Sequence, residues 1–260
     1  MIVRRIDGAW WLIRQVDHAV HAGAVSDAWK AGPFGGEQIT DSLRDATTRH
    51  DLGWSEADRA PRIDPASGGP ANFTLIDEAR HTAFYAGAVR KIAETDPASA
   101  YLVSLHASGL YSRRYGWGGL APVDWTSIGE HGRALLEDER SYRAQLAGRM
   151  DPSDAEFEAL WRSYMLLETF DLLSLLVCLG VDSGSCGPVP SSPGQWLNLQ
   201  IERRGPWGVA LDPWPFSGSE LVVPVPARRL ETERFAGDQE LQAALAGTEE
   251  RTQETRYLRG

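Results

Sequence analysis

The stretch 166–176, Leu-Leu-Glu-Thr-Phe-Asp-Leu-Leu-Ser-Leu-Leu, limits the possible folds more than any other part of the sequence. Its apolar residues cover nearly every side of a helix, so this helix is predicted to lie inside the protein rather than along its surface. Asp171 sits in the middle of it. Because a buried carboxylate without a partner is costly, Asp171 is expected to be a hydrogen-bonded acid, a partner of an arginine such as Arg162, or a metal ligand.

Length and charge exclude several classes of function. The chain has 260 residues and a formal net charge of -10, which argues against broad contact with nucleic acid or with an anionic membrane. Arg4, Arg5 and Asp7 interrupt any N-terminal signal pattern, and no apolar run reaches the roughly 18 residues of a membrane span. We therefore expect a cytoplasmic protein that folds as a single domain over residues 1–260, with its oligomeric state open.

The periodicity of apolar residues predicts a mainly α fold. Helices are expected over residues 15–30, 40–53, 77–94, 97–111, 127–147, 153–179 and 238–245. Thr40 or Asp41 can cap the second of these helices, and Asp96 can cap the fourth, with Pro97 in its first turn. A polar stretch rich in Pro and Gly, residues 54–73, is predicted to be an ordered loop.

The predicted β structure is confined to the two ends of the chain. A short hairpin is expected around Asp7-Gly8, a pair that supplies the positive φ angles of tight turns, and strands are expected over residues 197–203 and 221–225. Residues 184–194 are predicted to form a loop and the C-terminus a charged tail. The expected architecture is a helical bundle over residues 15–180, with a β/α extension over residues 195–260 packed on it.

Candidate metal ligands recur along the predicted helices. The doublet His50-Asp51 is accompanied by three histidines and one aspartate, a total of four imidazoles and two carboxylates, enough to hold two transition-metal ions. The set is His18, His50, Asp51, His81, His106 and Asp171. An α-helix rises about 1.5 Å per residue. At this rise, the two histidines of each predicted helix pair lie at similar distances from the connecting turn. His21, one turn after His18, is the alternative ligand on the first helix.

The order of these ligands resembles that of the HD-domain superfamily. In that pattern a histidine on an early helix precedes a His-Asp doublet, and a helical aspartate follows late; dinuclear members have two further histidines between them. A wider set of motifs is similar to the bacterial DUF3891 family of undefined function, and this likeness covers nearly the whole chain. These motifs are Gln-Val-Asp-His-Ala at 15–19, His-Asp-Leu-Gly-Trp at 50–54, Ser-Leu-His-Ala-Ser-Gly-Leu-Tyr at 104–111 and Asp-Pro-Trp-Pro-Phe at 212–216.

The resemblance implies an HD-like helical core with two metal ions, and two kinds of enzyme. One is a mixed-valent diiron oxygenase, in which a hydroxylated small molecule is oxidised or cleaved with O2. The other is a phosphohydrolase that acts on a small phosphate ester or nucleotide. Iron is the expected metal, with manganese or zinc as alternatives. A metal-stabilised binding protein without turnover is a third interpretation.

The residues around the expected metals favour the oxygenase. Both enzyme groups often have a lysine shortly after the doublet, where this chain has Trp54, and this departure argues against phosphate binding. Arg113 and Arg114 could replace the lysine as anion-binding residues, although a solvated helix end explains them equally well. Trp54, Tyr85 and Tyr111 are candidate walls of a substrate pocket, and aromatic residues at such spacings also occur simply as core.

Overall fold

The computed structural model describes residues 1–29, 32–36, 38–112, 128–180, 182–192 and 194–260. Within these ranges the chain forms eight α-helices and a seven-stranded sheet. The helices are α1 (Gln15–Ala28), α2 (Asp41–Arg49), α3 (Ser55–Arg59), α4 (Glu78–Ile92), α5 (Pro97–Tyr111), α6 (Glu130–Met150), α7 (Asp154–Leu179) and α8 (Asp238–Ala246).

The strands come from both ends of the chain and join in one sheet. They are β1 (Ile2–Ile6), β2 (Ala9–Ile13), β3 (Gly184–Ser192), β4 (Gln195–Arg203), β5 (Gly208–Asp212), β6 (Glu220–Leu230) and β7 (Glu250–Arg259). Their spatial order is β1-β2-β6-β7-β5-β4-β3. Neighbouring strands are antiparallel except β5 and β7, which run parallel. The sheet is therefore mixed, and its middle is made by β6 and β7 near the C-terminus.

The prediction of a mainly α bundle with a short hairpin and a strand addition is wrong. The protein has an α/β fold, in which a curled, mixed seven-stranded sheet accompanies the helices. The prediction failed at three strands. β3 carries so many Gly, Pro and Ser residues that it was expected to be a loop; β5 was not predicted; and β7 was expected to be a charged tail.

The helix boundaries follow from capping residues that can be recognised in the sequence. Thr40 accepts a hydrogen bond from the Leu43 amide at the start of α2, and Asp96 accepts from two amides at the start of α5. Ser153 begins α7 with a reciprocal capping box that involves Glu156. These side chains satisfy amide groups that the first turn of a helix leaves without partners.

Helix α7 lies at the centre of the protein. It packs against α1, α2 and α5 and also contacts strands β1 and β3, so the apolar residues of the stretch 166–176 are covered on all sides. This position confirms that the apolar stretch 166–176 is internal. Polar residues in the middle of α7 prevent it from resembling a membrane span, and no helix in the described ranges is both long and apolar enough to cross a membrane.

Candidate metal centre

The candidate ligands lie where three helices, α1, α2 and α5, meet the middle of α7. His18 is on α1, the His50-Asp51 pair ends α2, His106 is on α5, and Asp171 is on α7. All five side chains are buried. The structure therefore brings together five of the six residues that the sequence suggested as metal ligands.

Four ligand atoms form a compact group in this space. Nε2 of His18 lies 3.3 Å from Nε2 of His50 and 3.5 Å from Oδ2 of Asp51. Oδ1 of Asp171 lies 3.1 Å from the first nitrogen and 3.3 Å from the second. Atoms that surround one ion at about 2.1 Å are separated by roughly 3.0–3.5 Å, depending on octahedral or tetrahedral geometry. Each of these four separations therefore fits two ligands of the same metal ion.

Asp171 has a buried carboxylate oxygen whose charge a cation could compensate. Its Oδ1 is buried, and neither nearby imidazole nitrogen approaches it with hydrogen-bond geometry, so the oxygen has no hydrogen-bond partner. Arg162, the alternative partner, instead donates to the main-chain oxygen of Ser192 at 2.7 Å. A buried carboxylate oxygen left without a hydrogen bond is costly unless a cation compensates it. The donor set of imidazoles and carboxylates therefore fits a transition-metal ion.

The negative charges of Asp51 and Asp171 also favour a positive charge in the group, either protons on the imidazoles or a metal ion. Burial alone would lower the pKa of His50, but the charges of Asp171 and Asp51 outweigh it and raise the pKa to about 10. Burial would raise the pKa of Asp171, and the neighbouring His50 and His18 hold it well below its usual range. In the absence of metal, protons on the imidazoles therefore balance the two carboxylates, and a metal ion can take the place of these protons.

The imidazole rings are fixed by hydrogen bonds at Nδ1. Nδ1 of His50 donates to the main-chain oxygen of Thr47 at 2.7 Å, and Nδ1 of His18 lies 2.8 Å from Oγ of Ser174. Because a carbonyl oxygen can only accept, the neutral form of His50 carries its proton on Nδ1 and presents the lone pair of Nε2 to the group. Metal-binding histidines typically have such a partner at the ring nitrogen that does not bind the metal.

A second group of candidate ligands adjoins the first. His50, His106 and Asp171 each offer an atom within 4.8 Å of the others. Nδ1 of His106 hydrogen bonds to Oε1 of the buried Glu168 at 2.6 Å. Burial raises the pKa of Glu168, an effect that His106 partly opposes, and Oε2 of this glutamate has no hydrogen-bond partner.

His81 lies beside the cluster but belongs to neither group of candidate ligands found among the described residues. Its Nδ1 hydrogen bonds to the hydroxyl of Tyr111, and its ring contacts Tyr85 and Trp54, with ring centroids 5.0 and 5.5 Å apart respectively. The Tyr85 hydroxyl donates to Oδ1 of Asp51 at 2.8 Å. Tyr85 thus connects the His81 side of the centre to the carboxylate of the first group.

The three aromatic residues suggested as pocket walls are almost fully buried. Trp54, Tyr85 and Tyr111 pack around His81, so their placement fits both a dry site wall and ordinary core. Trp54 also lines a cavity of about 380 Å³ together with Phe73. Arg113 and Arg114, suggested as anion-binding residues, lie outside the described residues.

The structure distinguishes between the two histidines of α1. His18 points into the first group, whereas both ring nitrogens of His21 hydrogen bond elsewhere, at 2.8 Å to Ser174 and 2.7 Å to Thr255. Burial and the neighbouring His18 lower the pKa of His21 to about 3, so His21 is neutral. His21 therefore lies behind His18 rather than in the group.

Several residues of the site were not assigned a role from the sequence. Glu168 and Ser174 lie three residues before and after Asp171 and form a polar stripe along the apolar helix α7. This i, i+3 spacing was a usable signal. The sequence had no comparable signal for Thr255, because this residue lies on β7, in a segment expected to be a charged tail.

Fold and site together define an α/β protein with a buried cluster of histidines and carboxylates that could hold a metal ion. The chain belongs to the family described as "Protein of unknown function (DUF3891)", whose model matches residues 1–232. No curated protein sequence and no solved structure is significantly similar to it. The family assignment agrees with the likeness predicted from the sequence motifs.

Proposed function

We propose that this protein is a metal-dependent enzyme whose first metal site is formed by His18, His50, Asp51 and Asp171. The observation that carries the proposal is the convergence of these four buried side chains, with ligand atoms 3.1–3.7 Å apart in the contacts between histidine and carboxylate. The Asp171 oxygen without a hydrogen bond supports it independently.

A second metal ion is proposed on the other side of Asp51. His81 and His106 would bind it through Nε2, because their Nδ1 atoms hydrogen bond to Tyr111 and Glu168. Asp51 would contribute Oδ1, the oxygen that accepts from Tyr85. In this arrangement Asp51 would help to hold both ions.

The order of the proposed ligands supports a relationship to the HD-domain superfamily. A histidine on α1, a His-Asp doublet at the end of α2 and an aspartate on α7 correspond to the order of ligands in that superfamily. The likeness concerns only the order of the proposed ligands, because the fold is α/β with a seven-stranded sheet and not the expected HD-like bundle.

The proposed reaction is the oxidation or cleavage of a small hydroxylated molecule with O2. Iron, the proposed metal, would supply the redox chemistry that O2 activation requires. Among the described residues, the ion-pair partners of Asp51, Asp171 and Glu168 are all histidines. Without a lysine or arginine paired to these groups, the described part of the site favours an uncharged substrate over a phosphate ester.

The protein's own residues would hold the centre rigid and dry. Glu168 fixes the ring of His106, and the Tyr85 hydroxyl fixes one oxygen of Asp51. The buried aromatic rings of Trp54 and Tyr111 exclude bulk water from the His81 side. Rigid ligands and a low-dielectric surrounding are the protein's usual contribution to a redox centre.

Phosphate-ester hydrolysis is the second candidate function. The observation that favours it is the position of Arg113 and Arg114 in the sequence, two and three residues beyond the end of α5 at Tyr111. Tyr111 contacts His81 through its hydroxyl. A guanidinium group can bind two phosphate oxygens at once. Two metal ions can stabilise both the attacking and the leaving oxygen.

Oxygen uptake and phosphate release separate the two functions. Protein made in iron-supplemented cells and purified without chelator or nickel would be assayed with a panel of small polyols in an oxygen electrode. The same preparation would be assayed with p-nitrophenyl phosphate and nucleotides. Uptake of O2 that needs a polyol and is lost in His50→Gln supports the oxygenase; phosphate release lost in the same variant supports the hydrolase. The exposed His131 provides the matched control, because His131→Gln should retain activity.

A further inference from the structure

The cavity of about 380 Å³ beside Trp54 is enclosed by ordered structure. Its walls come from α3, from the loop that follows this helix, and from the start of α4. Within the loop, Asp64 exchanges main-chain hydrogen bonds with Gly68 and Gly69. Sites for small molecules usually have volumes of roughly 300–1,000 Å³, so the cavity is large enough to hold a small molecule.

The ring of Trp54 lies between this cavity and the candidate metal centre. Trp54 lines the cavity, and its ring centroid is 6.2 Å from that of Phe73, another lining residue. The same ring is 5.5 Å from that of His81, a proposed ligand of the second ion. The cavity therefore ends one aromatic ring away from the proposed metal site.

The proposed ligands are closed off from solvent, since all six are at most 3% exposed. A substrate can reach them only when a neighbouring side chain moves. Trp54 contacts both spaces, so a turn of its ring would join them. The backbone beside it is held in place, because a Cβ atom at Gly53 would overlap the main-chain oxygen of Phe84 on α4. The movement therefore belongs to the Trp54 side chain.

The lining of the cavity suits an uncharged molecule with several hydroxyl groups. Three aspartates and two arginines contribute to it, so negative and positive groups nearly balance. These residues are Asp64, Asp77, Asp238, Arg62 and Arg80. A hydroxyl group both donates and accepts, and so can bind a carboxylate or a guanidinium group. Trp54, Phe73 and Ile76 offer apolar surface to a carbon skeleton.

We propose that this cavity is the substrate pocket of the metal centre, that it takes a small uncharged polyol, and that Trp54 is the partition that turns aside to admit it. The inference rests on the proposed function and gives its substrate a binding place and a route. The polyol binds first with its carbon skeleton against Trp54 and Phe73. It passes to the His81 side when the Trp54 ring turns.

Relaxation NMR of xylitol and sorbitol tests the pocket. Manganese has unpaired electrons that speed the relaxation of nearby protons, whereas zinc has none. Polyol protons should therefore relax faster with manganese-loaded than with zinc-loaded protein. Ala57→Phe fills the cavity from α3 and should weaken polyol binding about tenfold or more without changing the metal content.

Two further variants complete this comparison. Ala60 is exposed and also lines the cavity, so Ala60→Phe blocks the same space with less risk of a folding defect. Ala144→Phe, at an exposed position on α6, is the matched control and should bind both polyols as the wild type does.

Trp54→Leu tests the partition. Because leucine is smaller than tryptophan, the bound polyol should come closer to manganese, and its protons should relax faster than with the wild type. Relaxation equal to that of the wild type would overturn the role of Trp54.

The outcomes separate the pocket from the metal site. Polyol binding of wild-type strength in folded Ala57→Phe and Ala60→Phe would overturn the pocket while leaving the metal site intact. Metal-loaded wild-type protein that binds neither polyol would do the same. Wild-type protein that holds no metal would overturn the proposed function; polyol binding to that metal-free protein, lost in Ala57→Phe, would still support the pocket.

Discussion

Nε2 of His18 and Nε2 of His50 face each other at 3.3 Å inside the protein, although the residues are 32 positions apart on different helices. Both rings have their other nitrogen hydrogen-bonded, and the carboxylate of Asp171 approaches both facing nitrogens. Two imidazole nitrogens and a carboxylate oxygen held this close attract a cation. That oxygen makes no hydrogen bond, so the positive charge opposite it comes from protons on the two imidazoles or from a cation.

Replacing a single histidine should remove only one of the two proposed ions. His81→Ala should reduce the iron content from about two ions per chain to about one, because the first site does not use His81. His18→Ala should lose the first ion. Plasma mass spectrometry measures the content, and His131→Ala, an exposed histidine on α6, is the control that should retain both ions. Equal loss in His81→Ala and His131→Ala would contradict the second site.

Metal binding should weaken as the pH falls. The pKa of His50 in the metal-free protein is raised to about 10, so this ring is protonated near neutral pH and must release its proton when a metal binds. Affinity should therefore drop about tenfold per pH unit for each proton displaced as the pH falls below 10. Calorimetry in buffers of different ionisation enthalpy counts the protons released. Zero protons at pH 7 would show that the metal does not bind through His50.

Bound metal should stabilise the fold. A ligand at 100 times its dissociation constant adds about 2.7 kcal/mol to the free energy of unfolding. For a chain of this length the melting temperature should rise by roughly 5–10 °C. Differential scanning fluorimetry with and without chelator measures the change. Asp171→Asn should show no shift with metal, and a shift as large as that of the wild type would place the metal elsewhere.

Glu168 should affect the binding of the second ion through His106. Glu168→Gln keeps an oxygen that can accept from Nδ1 of His106 but removes the negative charge, so the second ion should bind roughly 10- to 100-fold more weakly. Occupancy of the first site should change little. Glu158→Gln, on the exposed part of α7, is the matched control. Loss of both ions in Glu168→Gln would indicate a general structural defect instead.

The sequence predicted the helices well because local signals define them. Caps at Thr40, Asp96 and Ser153 fix the starts of three helices, and the Asp7-Gly8 turn of the hairpin has the positive φ angles expected, 49° and 82°. The edge strand β3 and the charged strand β7 lack such signals. In β7 only Thr255 and Tyr257 are buried, so its place in the sheet depends on pairing with distant strands.

The site was predictable where residue type and helical spacing carry the information. His18, His50 and Asp171 were identified as candidate ligands from their residue types. For Asp171 the energetic cost of a carboxylate in an apolar helix was a further signal. The hydrogen-bond partners around them depend on tertiary contacts. Thr255 is separated from His21 by 234 positions, and no local pattern could have connected the two.

Anomalous X-ray diffraction at the iron absorption edge tests the central claim most directly. Crystals of protein purified from iron-supplemented cells should show an anomalous peak among Nε2 of His18, Nε2 of His50 and the carboxylates of Asp51 and Asp171. A second peak is expected between His81 and His106. Crystals without an anomalous peak among the first four side chains, also after soaking in iron, manganese or zinc, would contradict the proposed metal centre.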